Sequence, residues 1–161
     1  MKALVQEELS GCGIASVAVL AGISYKQSQR IANKLGIHAE DARLWSDTQY
    51  VRALLKQHGI RCSAREKPFT SWEALPDTAL LAVKWHIERG VPFWHWVVFR
   101  RSPEGPLVLD SKAALRTNTR TDFGRIKPKW FIAVNINTAS SKGLQSRRRS
   151  AITQKIRLPA P

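Results

Sequence analysis

Cysteine is scarce in this sequence, which contains only Cys12 and Cys62. Two cysteines allow one disulfide, but a reducing cytoplasm opposes that pairing. The first residues also lack the charged segment, the apolar segment and the cleavage site of a secretory signal peptide. We therefore expect a cytoplasmic protein whose two thiols are free.

Long apolar runs are absent as well. No run approaches the ~18–20 residues needed to cross a bilayer, and the short apolar run from Ile14 to Ile23 fits a helix. With 161 residues, a hydrophobic share of 43% and six tryptophans, the chain has enough apolar material for the core of one compact domain. We expect no transmembrane segment, and the sequence has no internal repeat.

Motifs for common cofactors are also absent. The chain has no Gly-Lys-Ser/Thr phosphate-binding loop. His38, His58, Cys62 and His86 are scattered and lack the paired spacing of a zinc site. We therefore expect neither a cofactor nor a bound metal ion.

Acidic residues are few: 12 against 26 Lys and Arg, for a net charge of +14. Residues 139–161 hold six of the basic residues and no acidic one, and we expect a disordered basic tail there. Residues 1–138 form the predicted domain and keep a net charge of +8. Such a surface attracts anionic partners, whether nucleic acid, acidic protein or lipid headgroups. The tail has no aromatic residue on which bases could stack.

The first half of the chain has helical patterns. A helix over 13–21 is predicted to stop at Gly22, and a second helix, capped by Ser24, to end at Gly36. Ser46 and Gln49 have the spacing of a capping box, which predicts a third helix that ends at Gly59.

The second half has strand patterns. Short strands are predicted over 60–64 and 130–134, with a buried strand over 79–85. A helical turn is expected over 71–75, and a loop from Gly90 to Pro92. Helices packed on one side of an antiparallel sheet make an α+β domain.

Cys12 stands in a Gly-Cys-Gly turn at the predicted start of the first helix. Unpaired backbone N–H groups and the positive end of the helix dipole favour a thiolate there. The amide of Gln6, a short loop away, could donate to an oxyanion formed at the sulfur's target. A free cysteine is more often a small buried apolar residue, so a chemical role depends on a base elsewhere.

His95 is the preferred base. It lies in an aromatic and β-branched strand pattern, and a turn over 102–106 leads to a second strand that ends at Asp110. This hairpin can bring His95 beside Asp110, whose carboxylate would orient the imidazole and support its charge. His86 is a rival base, but no partner strand with an acid follows it as closely. By strand alternation, Trp94 and Trp96 face away from His95 and are expected in the core.

The chain resembles papain-like cysteine peptidases of the bacteriocin-processing, double-glycine-leader type, in particular their stand-alone relatives. The resemblance rests on Gly-Cys-Gly-Ile-Ala-Ser at 11–16, Trp-His-Trp-Val-Val at 94–98, Val-Leu-Asp at 108–110 and the last apolar strand at 130–134. It covers most of the first 137 residues.

The resemblance implies a papain-like α+β fold and a peptide or protein substrate cut after small residues, often a Gly-Gly pair. It makes Cys12 the nucleophile, His95 the general base, Asp110 the orienting acid and Gln6 the oxyanion-hole donor.

The chain departs from the family's pattern at two places. Ser10 and Gly11 stand where an acidic residue often precedes Cys-Gly, and Ser111 stands where proline tends to follow the aspartate. These differences bear on substrate choice and fine positioning.

Three alternatives stay open from the sequence. The same thiol chemistry serves acyl transferases and amidases. A papain-like domain without turnover could hold a leader peptide or an acidic partner. The charge also allows a basic nucleic-acid-binding protein.

Overall fold

The computed structural model describes residues 1–136 and has three α-helices and seven strands in this part of the chain. The helices are α1 (Cys12–Ala21), α2 (Tyr25–Lys34) and α3 (Gln49–Gln57), with a short 3-10 helix at Ala42–Ser46. The strands are β1 (Arg61–Cys62), β2 (Lys67–Pro68), β3 (Thr78–Glu88), β4 (Val91–Ser102), β5 (Gly105–Asp110), β6 (Thr119–Arg120) and β7 (Pro128–Asn135). The α+β class is as predicted, and the expected basic tail at 139–161 lies outside the described residues.

The end of α1 and the start of α2 lie where the sequence predicted them. Gly22 closes α1 in the left-handed conformation, with φ of 68°, which glycine adopts without steric cost. Ser24 caps α2 in a reciprocal capping box with Gln27. No helix in residues 1–136 combines the length and apolarity that a membrane crossing requires.

The predicted capping box of the third helix and the predicted helical turn at 71–75 are both wrong. The Ser46–Gln49 capping box does not form: Thr48 is the N-cap of α3, and the Gln49 N–H donates to Asp47 Oδ1 at 2.8 Å. Residues 71–75 form a turn and no helix. Trp72 in this turn packs against three phenylalanine rings, with centroids 4.8–5.9 Å apart, so tertiary packing overrides the weak helical signal.

The sheet is antiparallel, in the order β1-β7-β3-β4-β5-β6, with β2 paired separately to β7. Its centre is the long β3–β4 hairpin, which turns at Gly90 (φ 79°). The predicted loop at 90–92 is wrong, because Val91 and Pro92 already pair with β3. His95 therefore lies inside a strand, where its pairing with Val83 of β3 limits its movement.

Two apolar layers cover the two faces of the sheet. The helices pack on one face against Leu80, Trp96 and Ile132, and a second cluster covers the other face around Val97 and Phe99. The Trp94 and Trp96 rings meet edge to face at a centroid distance of 6.0 Å and belong to the helix-side core, as expected.

Candidate active site

Cys12 is the first residue of α1, and its side chain is buried. Gly11 is the N-cap, and no side chain caps this end of the helix. No side-chain cap therefore competes with a bound group for the first backbone N–H groups of α1, beside the Cys12 sulfur.

The glycines on either side of Cys12 serve packing. Both have negative φ, so neither is needed for an unusual backbone conformation. A Cβ at Gly11 would lie 2.2 Å from Tyr25 Oη, and a Cβ at Gly13 would lie 2.0 Å from Tyr50 Oη. The Gly-Cys-Gly sequence, expected to be a flexible turn, instead lets two tyrosines press against the first turn of α1 and hold Cys12 in place.

The β4–β5 hairpin brings His95 and Asp110 together. Asp110 pairs with Val97, two residues along β4 from His95 and on the same face. His95 Nε2 lies 2.7 Å from Asp110 Oδ1, and the Asp110 side chain has no solvent exposure. The second nitrogen of the imidazole is left for another partner.

That partner is Cys12. Burial opposes a charge on His95, but hydrogen bonds to Asp110 and Cys12 outweigh burial and raise the pKa of His95 to about 9. The ring is therefore protonated at neutral pH, beside the Asp110 carboxylate and under the influence of Cys12. Cys12, His95 and Asp110, three of the four predicted site residues, thus form one group.

Asp110 is held by more groups than the sequence predicted. Besides His95, the Lys112 N–H donates to Oδ1 at 3.1 Å and Arg120 donates to Oδ2 at 3.1 Å. Burial favours the neutral acid, but these donors outweigh it and hold the pKa of Asp110 below its usual range. Asp110 is thus an anion with both oxygens occupied, and its orientation is fixed.

Arg120 is a site residue that the sequence analysis missed. Its guanidinium also forms two hydrogen bonds with Asp122, at 2.9 and 2.8 Å. The Arg-Thr-Asp spacing is the one sequence signal for this arrangement, since side chains two residues apart in an extended segment point the same way, although β6 itself ends at Arg120.

Gln6 lies next to the segment that follows Asp110. Its N–H donates to the Ser111 carbonyl at 2.9 Å, and its Oε1 accepts from the Ser111 hydroxyl at 2.8 Å. Its Nε2 donates to the Glu8 and Leu9 carbonyls at 2.8 and 2.9 Å. Both amide hydrogens are therefore engaged, and donation to an oxyanion requires that one of these bonds be exchanged for the substrate.

Glu8 holds the loop between Gln6 and Cys12. Its carboxylate accepts hydrogen bonds from the Tyr25 hydroxyl and, at 2.6 Å, from Gln29 Nε2. Its carbonyl accepts from the Gly11 N–H at 3.2 Å. No motif in the sequence marks Glu8, because its partners are 17 and 21 residues away.

The rival base His86 has a different environment. It is exposed, its Nδ1 lies 2.9 Å from the Lys84 carbonyl, and its ring stacks on Phe93. No carboxylate within residues 1–136 lies within 4.0 Å of its ring nitrogens. The geometry therefore favours His95 as the base.

The remaining cysteine and histidine side chains form neither a disulfide nor a metal site within residues 1–136. Cys12 and Cys62 are both free thiols. Within residues 1–136, no group of three His, Cys, Asp or Glu side chains could hold a metal ion.

Two cavities border the site. One, of about 290 Å³, is lined by Trp45, Phe93 and His95 among others. The second, of about 240 Å³, is lined by Gln6, Leu9 and Lys112 among others. Each is large enough for one amino-acid side chain.

Comparison of the chain with protein-family models finds no match, and comparison with curated proteins finds no significant similarity.

Proposed function

We propose that the chain is a cysteine peptidase with a papain-like fold, in which Cys12 is the nucleophile, His95 the acid and base, and Asp110 the residue that orients His95. The observation that carries the proposal is that one imidazole lies 2.7 Å from the buried Asp110 carboxylate, while Cys12 also acts on it and raises its pKa. A core histidine needs only one such partner, whereas nucleophilic catalysis needs both.

The first half of the reaction forms an acyl-enzyme. The Cys12 sulfur attacks the carbonyl carbon, forming an S–C bond, and the C–N bond of the peptide breaks. His95 gives its proton to the leaving amine. The backbone N–H of Cys12 stabilises the oxyanion, and the Gln6 amide joins it when its bond to Glu8 or Leu9 is exchanged.

The second half releases the acid. Neutral His95 removes a proton from water, the resulting hydroxide attacks the acyl carbon, and the S–C bond breaks. His95 returns to the protonated state beside Asp110, which remains an anion throughout.

The substrate class follows from the resemblance described above. A peptide or protein cut after small residues, such as a Gly-Gly pair, would meet the narrow space at the buried Cys12. The free thiols of Cys12 and Cys62 suit a reducing compartment, and we propose a cytoplasmic location.

A thiol-reactive peptide probe tests the proposal. We expect rapid labelling of Cys12, located by mass spectrometry, that His95→Ala reduces by at least about 10²-fold. Cys62→Ser is the matched control and should leave the labelling rate of Cys12 unchanged. Slow labelling that does not depend on His95 would contradict the proposal and favour a papain-like module that binds peptides without cutting them.

Hydrolysis needs a second measurement. A peptide library digested by the full chain and read by mass spectrometry should show cleavage that Cys12→Ala abolishes. Products joined to an added amine instead of water would indicate an acyl transferase.

A further inference from the structure

Two lysines stand beside the candidate site. Lys84 follows Val83, which pairs with His95 across the β3–β4 hairpin, and it lines the same cavity as His95. Lys112 follows Asp110 by two residues and lines the cavity that Gln6 borders. Each of the two cavities that border the candidate site is therefore lined in part by a lysine.

The backbone at Lys84 is strained. Its φ is 55°, in the left-handed region, within the register shift between Val83 and His86. This region is unfavourable for a non-glycine residue, and such strain concentrates at active sites and ligand contacts. Bulges that re-aim a side chain beside an active site are also common. A lysine held here, where glycine or asparagine would fit more easily, indicates a role for its charge.

Three carboxylates near the two lysines already have other partners. Glu7 pairs with Lys26 at 2.5 Å, and Glu8 is bound by Tyr25 and Gln29. Asp110 has both oxygens occupied. Within residues 1–136, neither Lys84 nor Lys112 has a carboxylate within 4.0 Å, although Glu88 lines the same cavity as Lys84.

The two lysines also influence each other electrostatically. Burial lowers the pKa of Lys84, and the like charges of Lys112 and Arg120 lower it further. The negative charge of Asp110 raises it, but by less. An anion placed between Lys84 and Lys112 would remove this repulsion and accept hydrogen bonds from both.

We propose that Lys84 and Lys112 form a carboxylate-binding subsite, so that the enzyme prefers peptides with an acidic group next to the bond that is cut. The inference rests on the proposed peptidase function. The carboxylate belongs to an aspartate or glutamate side chain or to a free C-terminus. Each cavity has room for a side chain and not for a polymer, and the excess positive charge of residues 1–138 attracts an acidic substrate to the domain.

The test compares peptides that differ only in charge. The full chain is assayed with a library in which Glu or Gln occupies each position around the cleaved bond, and with peptides ending in a free acid or an amide. We expect kcat/KM for the acidic peptide to exceed that for its neutral partner about tenfold at one position. A preference at an internal position identifies a side chain, and a preference confined to the free acid identifies a C-terminus.

The variants assign the preference to the two lysines. Lys84→Gln with Lys112→Gln should reduce the acidic-to-neutral ratio of kcat/KM below about threefold. Lys56→Gln, an exposed lysine at the end of α3, removes one charge elsewhere and should leave the ratio as it is.

Three results would overturn the inference. Equal rates for acidic and neutral peptides in the wild-type chain, with Cys12 labelling dependent on His95, remove the subsite and leave the peptidase. An acidic preference that the double variant retains assigns it to other residues. No cleavage, together with labelling indifferent to His95, removes the proposed function and the subsite with it.

Discussion

His95 Nε2 and Asp110 Oδ1 lie 2.7 Å apart, and 15 residues separate them in the chain. The β4–β5 hairpin sets this distance, because Asp110 pairs with Val97 and side chains two residues apart share a face of the sheet. With both strands hydrogen-bonded, the imidazole and the carboxylate need little ordering when a substrate binds.

Asp110→Asn tests whether this pair supports catalysis. Asparagine fills the same space but cannot stabilise a charged imidazole, so the pKa of His95 falls and the imidazolium is lost. We expect kcat/KM for peptide cleavage to drop by at least about 10²-fold, while the circular dichroism spectrum stays that of the wild type. An asparagine variant within threefold of wild-type activity would assign Asp110 to structure alone.

The pH dependence of stability follows from His95. Its pKa is raised from 6.5 to about 9 in the folded chain, so the folded state binds the proton more tightly than the unfolded state does. The proton on His95 stabilises the fold fully below pH 6.5, and this contribution is lost as the pH rises to about 9. The free energy of unfolding then falls by up to about 1.4 kcal/mol per pH unit.

Urea unfolding between pH 6.5 and 9 measures this slope. His95→Gln should flatten the dependence in this window. His86→Gln is the matched control and should keep the wild-type slope, because His86 is exposed and has no carboxylate within 4.0 Å among residues 1–136. Equal slopes in the wild type and in His95→Gln would mean that His95 carries no extra proton. The labelling rate of Cys12 should likewise fall above about pH 9.

Arg120 is expected to act through Asp110. The pKa of Asp110 is lowered on folding, so its ionisation stabilises the fold above the ordinary value of 3.8 and this contribution is lost as the pH falls. Arg120→Gln removes one donor and a positive charge from Asp110 Oδ2, which raises the carboxyl pKa. The midpoint of acid unfolding should move to higher pH, and the free energy of unfolding at neutral pH should fall by about 1–3 kcal/mol.

A control separates Arg120 from other surface arginines. Arg43 is exposed and pairs with Asp41 outside the site, so Arg43→Gln should leave both the acid midpoint and the Cys12 labelling rate unchanged. If the two variants behave alike, the contact of Arg120 with Asp110 has no special weight.

The sequence predicts the His95–Asp110 pair because its geometry is local. A turn over 102–106 sets the register of two strands, and alternation then places both side chains on one face. The same reasoning does not predict the position of Arg120, because β6 has only two residues and follows a loop without a regular pattern.

The sequence also does not predict the long-range contacts of the loop before α1. Tyr25 and Gln29 reach Glu8 only after α2 has folded back, and the sequence carries no periodic signal for that return. The engaged amide of Gln6 belongs to the same group, because it depends on backbone carbonyls of the folded loop.

Gly13→Ala tests the tight packing at the start of α1. A Cβ at this position would lie 2.0 Å from Tyr50 Oη and 2.6–2.7 Å from two ring carbons. Tyr50 is buried and cannot swing away, so either its ring or the first turn of α1 must shift. We expect a loss of about 1–3 kcal/mol in the free energy of unfolding, with a lower labelling rate at the adjacent Cys12.

Gly124→Ala provides the comparison, because a Cβ at Gly124 has no atom within 4 Å. It should change stability by no more than about 0.5 kcal/mol and leave labelling unchanged. The labelling rate carries the argument: if Gly13→Ala destabilises the fold but Cys12 reacts at the wild-type rate, the contact of Tyr50 with α1 stabilises the domain without positioning the sulfur. A lower rate at temperatures where the variant is fully folded assigns the positioning to Tyr50.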